Sequence, residues 1–231
     1  MITVKNLTKR YGKITALNNV TLLFDDVKVI AIMGENGAGK STLLKIIAGI
    51  LPYDSGDVTI DSYSIATQSL TAREHLGYLP EMPELDRITG REFLFYIASL
   101  RKLVDAERII SRLSQMIGID DALDYKLGGY SKGMKQKISL LSAIIHSPQN
   151  LLLDEPVYGL DPLASRTIQD FIKKRHGTTV LATHSTQLVE HVADNVYFLM
   201  HGNVILYNSV PNLMSKHDSI ENAYLYYKEK K

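Results

Sequence analysis

The chain predicts an α/β fold, and three observations carry that reading. Val27 to Met33 is an apolar strand that runs through Gly34-Glu35-Asn36-Gly37-Ala38-Gly39-Lys40-Ser41-Thr42 into Leu43 to Ala48, whose apolar spacing is helical. Asn150 to Asp154 and Thr179 to Ala182 are two further apolar strands, continuous enough to be buried on both faces. Segments with helical stripes lie between them, so strands and helices alternate along the chain.

The elements follow in order. Ile2 to Phe24 reads as an N-terminal β region, and Asp57 to Ile60 as another strand. Thr89 with Glu92 makes a capping box, after which Phe93, Ile97, Leu100 and Val104 repeat at helical spacing. A second helix starts near Asp105, with Ala106, Ile109, Ile110, Leu113 and Ile117 on one face. Ser131 is placed as an N-cap ahead of Ile138, Leu141 and Ile145. Lys173-Lys174-Arg175-His176 reads as a solvated helix C-terminus. Val196 to Met200 and Val204 to Tyr207 form a hairpin marked by Gly202-Asn203, and a short tail carries Tyr224, Tyr226 and Tyr227.

The nine residues after the first strand have the phosphate-cradling P-loop pattern, two glycines separated by four residues and followed by Lys40 and Ser41. A phosphate chain needs many donors at close range, and Gly34, Gly37 and Gly39 let the backbone wrap that tightly. Amides opening the helix face the β-phosphate, Lys40 reaches the β/γ oxygens, the Ser41 hydroxyl can ligate Mg²⁺, and Thr42 adds a donor. A bound nucleoside triphosphate is the expectation. Asn150 to Pro156 is an apolar strand ending in two carboxylates, the layout in which Asp154 holds Mg²⁺ and Glu155 deprotonates or positions the attacking water.

Tyr130-Ser131-Lys132-Gly133-Met134-Lys135-Gln136 lies upstream of those carboxylates, Tyr158-Gly159-Leu160-Asp161 closely after them, and Thr183-His184-Ser185 after the next strand. In order and spacing these motifs resemble the ATP-binding-cassette (ABC) ATPase domain over nearly the whole chain. The resemblance implies a P-loop NTPase core of RecA-like type, with an N-terminal antiparallel β subdomain and a helical ABC-specific subdomain at about 82–148, all within one domain over 1–231. It implies that Tyr11 stacks on adenine, that Ser131, Lys132, Gly133 and Met134 are the signature offered in trans, and that Asp161 closes the D-loop. His184 is then the switch histidine, and Glu81 the metal and coupling residue beside the membrane partner.

Three positions in two motifs depart from the common family pattern. Lys132 and Met134 stand where the signature usually has glycine and glutamine, and Glu81 where the loop usually has glutamine. Both variants look like those of exporter-type ABC ATPases.

Composition agrees. The 231 residues suit one domain with a helical insertion, zero cysteines exclude a disulfide framework, and a net charge of +1 offers no field for nucleic acid. No apolar run approaches the ~20 residues that span a bilayer. The expectation is a cytoplasmic ATPase, peripheral on the membrane's cytoplasmic face, that uses ATP and Mg²⁺ to power a separate integral-membrane permease. By resemblance one cassette cannot close its own γ-phosphate site, so a homodimer or heterodimer of ATPase subunits is implied. The alternative is a soluble ABC ATPase of DNA repair or translation.

Overall fold

The computed structural model describes residues 1–25, 28–79 and 86–230, so Glu81 lies outside the described residues, as does Val27. In chain order the elements are β1 (Ile2–Tyr11), β2 (Ile14–Phe24), β3 (Val29–Met33), α1 (Lys40–Ile47), β4 (Ser55–Ile60), β5 (Tyr63–Ser64), α2 (Ser69–Glu74), β6 (Leu76–Leu79), α3 (Gly90–Leu100) and α4 (Ala106–Ile117). There follow α5 (Lys132–Ile144), β7 (Asn150–Asp154), α6 (Pro162–Lys174), β8 (Thr178–Thr183), α7 (Thr186–Val192), β9 (Asn195–Met200), β10 (Asn203–Ser209), α8 (Val210–His217) and α9 (Ile220–Glu229). They form two compact units, Met1–Leu76 with Gln149–Glu155 and His176–Lys231, and Gly77–Pro148 with Pro156–Arg175.

The first unit holds two sheets. One is antiparallel, in the order β2-β1-β4-β5. In the other, running β10-β9-β3-β8-β7, strands β9, β3, β8 and β7 are parallel and β10 returns antiparallel. Every residue of β3 and β8 is buried, which is why β3 is apolar without alternation and why the polar residues of β8 are threonines, buried with the rest. Ala31 and Met33, two apart on β3, join Phe198, Leu213, Ile220 and Tyr224 in a core that α7, α8 and α9 complete. The register sets Met33 beside Thr183 and Asp154 beside Ala182, so three parallel strands deliver their following loops to one edge. The carboxyl ends of parallel strands are where such sheets bind ligands.

The second unit is helical. α3 opens with the expected capping box, Thr89 Oγ1 accepting from Glu92 N at 3.1 Å and Thr89 N donating to Glu92 Oε2 at 2.7 Å. The stripe expected after it is corrected by the structure. Phe93, Leu94 and Ala98 are the buried residues, whereas Leu100 is 61% and Val104 81% exposed. The helix stops before Val104 because Leu103 N donates to Ala98 O and Lys102 N to Ser99 O, with Lys102 at φ 52°. This is a Schellman stop with lysine where glycine is usual. α4 ends the same way at Gly118, φ 69°, as the sequence signals.

Arg175 corrects a second expectation. Lys173 and Lys174 are solvated, but Arg175 is partly buried, its guanidinium donates to Pro148 O, and desolvation lowers its pKa to about 10. The tail is also more than a tail: α9 lays Tyr224 edge-on against Phe198 of the core, ring centroids 5.3 Å apart.

Candidate active site

Gly34 to Gly39 leave the end of β3 as a loop that favours glycine by close approach at Gly34, where a Cβ would stand 2.2 Å from Leu199 O, and by positive φ at two more places. Gly37 has φ +83° and Gly39 φ +107°, and a Cβ on Gly39 would stand 2.4 Å from the carbonyl oxygen of Ala16. Ala38 N donates to Glu35 O at 3.1 Å, and Gly202 N donates to Ala38 O at 3.1 Å, so the β9–β10 turn supports the loop from behind. Lys40, the first residue of α1, donates its ammonium to Gly34 O at 2.7 Å and Glu35 O at 3.0 Å. Burial pushes its pKa down, while the nearby Glu155 and Asp154 carboxylates push it up.

A cavity of about 340 Å³ opens over this loop. Asn36, Gly37 and Gly39 to Thr42 line one side, Glu155 another, and Ile14, Thr15, Ala16 and His201 the rest. Gly34, Glu35 and Ala38 shape the loop without reaching that wall. Tyr11 ends β1 paired with Ile14, half exposed, with the Lys9 ammonium 5.2 Å from its ring centroid; the cavity wall is formed by its partner Ile14 rather than by Tyr11 itself.

Both carboxylates sit at the end of β7 and differ in setting. Asp154 is desolvated, which raises its pKa; a hydrogen bond with the Ser41 side chain opposes that shift. Its Oδ1 is buried and has no hydrogen-bond partner. An orphaned carboxylate oxygen beside a hydroxyl suits a hard cation that takes oxygen ligands, so Ser41 and Asp154 fit Mg²⁺. Glu155 has φ +44°, a conformation that costs a non-glycine residue energy and that its surroundings must enforce. They do: Glu155 N donates to Ala182 O at 2.9 Å, Thr183 Oγ1 donates to Oε2 at 2.9 Å, and His184 N donates to Oε1 at 3.0 Å. His184 Nδ1 lies 2.7 Å from the same Oε1; with the hydrogen on Nδ1, Nε2 is left as an acceptor.

In the second unit, Ser131 caps α5 by accepting from Met134 N at 3.2 Å, and Lys132 places its ammonium 4.6 Å from the Tyr158 ring centroid. Asp161 caps α6, Oδ1 accepting from Leu163 N at 3.0 Å and Ala164 N at 2.9 Å; the bond from Ala164 chiefly holds its pKa below the usual carboxylate value. Gly133 opens the same turn of α5 that Met134 continues.

Sequence reasoning missed five contributors. Thr183 fixes the Glu155 carboxylate, and His201 lines the cavity from a two-residue hairpin turn, His201-Gly202, in which both residues have positive φ. Asn203 is the first residue of β10 rather than part of that turn. Thr15 and Ala16 line the cavity from β2, and the Lys228 ammonium of α9 pairs with the Glu35 carboxylate, lowering the pKa of Glu35. A threonine one position before His184 at a strand end was the only one of these with a sequence signal.

Comparison with known proteins agrees with this geometry. A family model described as ABC transporter matches residues 17–158. The chain is 32% identical to the ABC transporter ATP-binding protein NatA of Bacillus subtilis (strain 168), over 98% of this chain and 96% of that protein. It is likewise 32% identical to the lantibiotic transport ATP-binding protein SrtF of Streptococcus pyogenes, over 89% of this chain and 90% of that one. The solved ATP-binding subunit of an ABC transporter superposes with TM-score 0.90 at 29% identity, covering 99% of each chain.

Proposed function

This chain belongs to the ABC transporter family as an ATP-binding ATPase subunit, and from that premise we propose that it drives a separate membrane permease in an exporter, two cassettes clamping two ATP molecules. The observation that carries the reading is the Glu155 carboxylate, held by Thr183 and His184 at a cavity floored by the phosphate loop. Glu155 is the base that takes a proton from the attacking water, and His184 aligns that water with the γ-phosphate. Lys40 reaches the β- and γ-phosphates, the amides that open α1 face the β-phosphate, Thr42 adds a donor to the α-phosphate, Gly34 to Gly39 complete the loop, and Tyr11 stacks on adenine. Ser41 and Asp154 would hold Mg²⁺, which would neutralise charge on the phosphates.

The partner copy's γ-phosphate is met by the α5 N-terminus, where Ser131, Lys132, Gly133 and Met134 stand; Ser131 serves as cap and phosphate ligand together. Asp161 links the two sites. A dimeric bacterial ABC transporter cassette, 25% identical with TM-score 0.83 over 90% of this chain and 98% of that one, supports a two-copy assembly. The export direction is supported by relatives named for lantibiotic and bacitracin transport. Among the described residues no helix is long and apolar enough to cross a membrane. On the strength of the family, the path is assigned to a separate permease whose coupling segment meets Glu81, with this chain on the cytoplasmic face.

The test is affinity purification of tagged Glu155→Gln protein from detergent-solubilised membranes with ATP and Mg²⁺. Co-elution of a stoichiometric polytopic membrane protein is expected. Recovery of ribosomal or DNA-repair partners in its place would contradict the reading.

A further inference from the structure

Lys132 is electrostatically misplaced. It is the first residue of α5, where the helix dipole disfavours a cation, and no acidic side chain sits in that first turn to offset it. Its ammonium lies instead over the Tyr158 ring, 4.6 Å from the centroid, and its stem crosses Gly159. Gly159 has φ +68°, and a Cβ built there would come within 2.3 Å of Lys132 Nζ and 3.1 Å of Cε, so the lysine occupies the space a side chain would need. A further contact lies on the same face of α5: Gln136 Nε2 donates to Pro156 O at 3.0 Å. Positions 132 and 136 are one turn apart on the helix, so the start of α5 is joined along that face to residues 156–159.

That segment has one covalent neighbour of consequence. It begins directly after Glu155 and leads to Asp161, which caps α6. We propose that Lys132 is a positioning residue: seated on Tyr158, it ties the α5 N-terminus to the segment leading from Glu155, so that capture of a partner copy's phosphate by α5 sets the placement of the base in its own chain. This rests on the two-copy reading above and adds a residue pair that composes the communication between sites. A lysine at this position is then no degraded glycine but the cationic half of a latch whose aromatic half is Tyr158.

The experiment is a double-mutant cycle on steady-state ATP turnover by the purified full-length chain, with Lys132→Met, Tyr158→Leu and the pair, and with Tyr158→Phe and Glu155→Gln alongside. Each single truncation is expected to lower kcat by about two- to fivefold, the size of an exposed cation–π contact, with the loss in kcat rather than KM. The double variant is expected to lose no more than the singles, and Tyr158→Phe, which keeps the ring, to restore most of the activity lost in Tyr158→Leu. Losses that multiply in the double variant, or Tyr158→Phe failing as Tyr158→Leu does, would overturn the latch while Glu155→Gln remains inactive. Turnover by Glu155→Gln would instead overturn the catalytic reading on which the latch depends.

Discussion

Gly39→Ala isolates the backbone's share of the site. Gly39 sits at φ +107°, ψ 2°, immediately before Lys40, and an added Cβ would lie 2.4 Å from Ala16 O and 3.0 Å from Leu17 Cδ2. The backbone conformation alone costs an alanine about 1–3 kcal/mol. The oxygen belongs to β2, whose backbone cannot yield cheaply, so relieving that contact adds about 1–3 kcal/mol more. A total near 4 kcal/mol corresponds to a melting temperature lower by about 10 °C for a chain of this size. If the loop moves to escape the contact, the amides lose their convergence and ATP affinity falls at least about tenfold. Gly37→Ala is the internal control. It has φ +83° but nothing within 4 Å of its Cβ position, so it incurs conformational strain alone, about 1–2 kcal/mol, and should melt about 2–8 °C low, less than Gly39→Ala. The assays are thermal unfolding by circular dichroism without nucleotide, and titration with a fluorescent ATP analogue. Parent-like melting and affinity in Gly39→Ala, or a larger loss in Gly37→Ala, would refute the argument that the loop is fixed by contact with β2.

Asp154→Asn should raise the melting temperature of the nucleotide- and metal-free protein at neutral pH. Burial raises the folded-state pKa of Asp154 above the ordinary value of 3.8, so the folded form binds the proton more tightly and stability falls as pH rises from 3.8 through the raised value. The variant should lack that slope and also lack any extra stabilisation by Mg²⁺ with ATP; a variant that melts lower at neutral pH would contradict the desolvation argument. Ser131→Ala should cost about 1 kcal/mol through loss of the α5 cap, a melting shift of about 2–4 °C, and a disproportionate fall in turnover. The melting shift with unchanged kcat would leave Ser131 as a cap and nothing more.

The elements most legible in the sequence are those governed by local chemistry. Thr89 and Glu92 announce the start of α3 because capping needs only residues three apart, and Gly118 announces the end of α4 because glycine tolerates positive φ. The end of α3 was hidden because Lys102 takes that conformation without glycine's signal, and the apolar Leu100 and Val104 then extended the apparent stripe past the true stop. Within the site, the phosphate loop and the strand ends are contiguous motifs and could be read directly. Lys228 meets Glu35 across 193 residues, and His201 reaches the cavity through a hairpin whose register no local pattern states. Arg175 reads as solvated beside two exposed lysines, and its long-range hydrogen bond to Pro148 O and its partial burial leave no local pattern. Tyr158 was legible as a residue but not as a partner, since cation–π pairs leave no periodicity.

The central claim is that Glu155 is the base in a site that binds ATP without it. Steady-state phosphate release by Glu155→Gln, measured beside its ATP affinity, tests that most directly. Glutamine keeps the side chain's size and can still accept from Thr183, but it cannot take a proton from water. Turnover should fall by at least about a hundredfold, within the range expected for loss of a general base, with ATP affinity close to that of the parent. Sustained multiple-turnover hydrolysis by the variant would contradict the account.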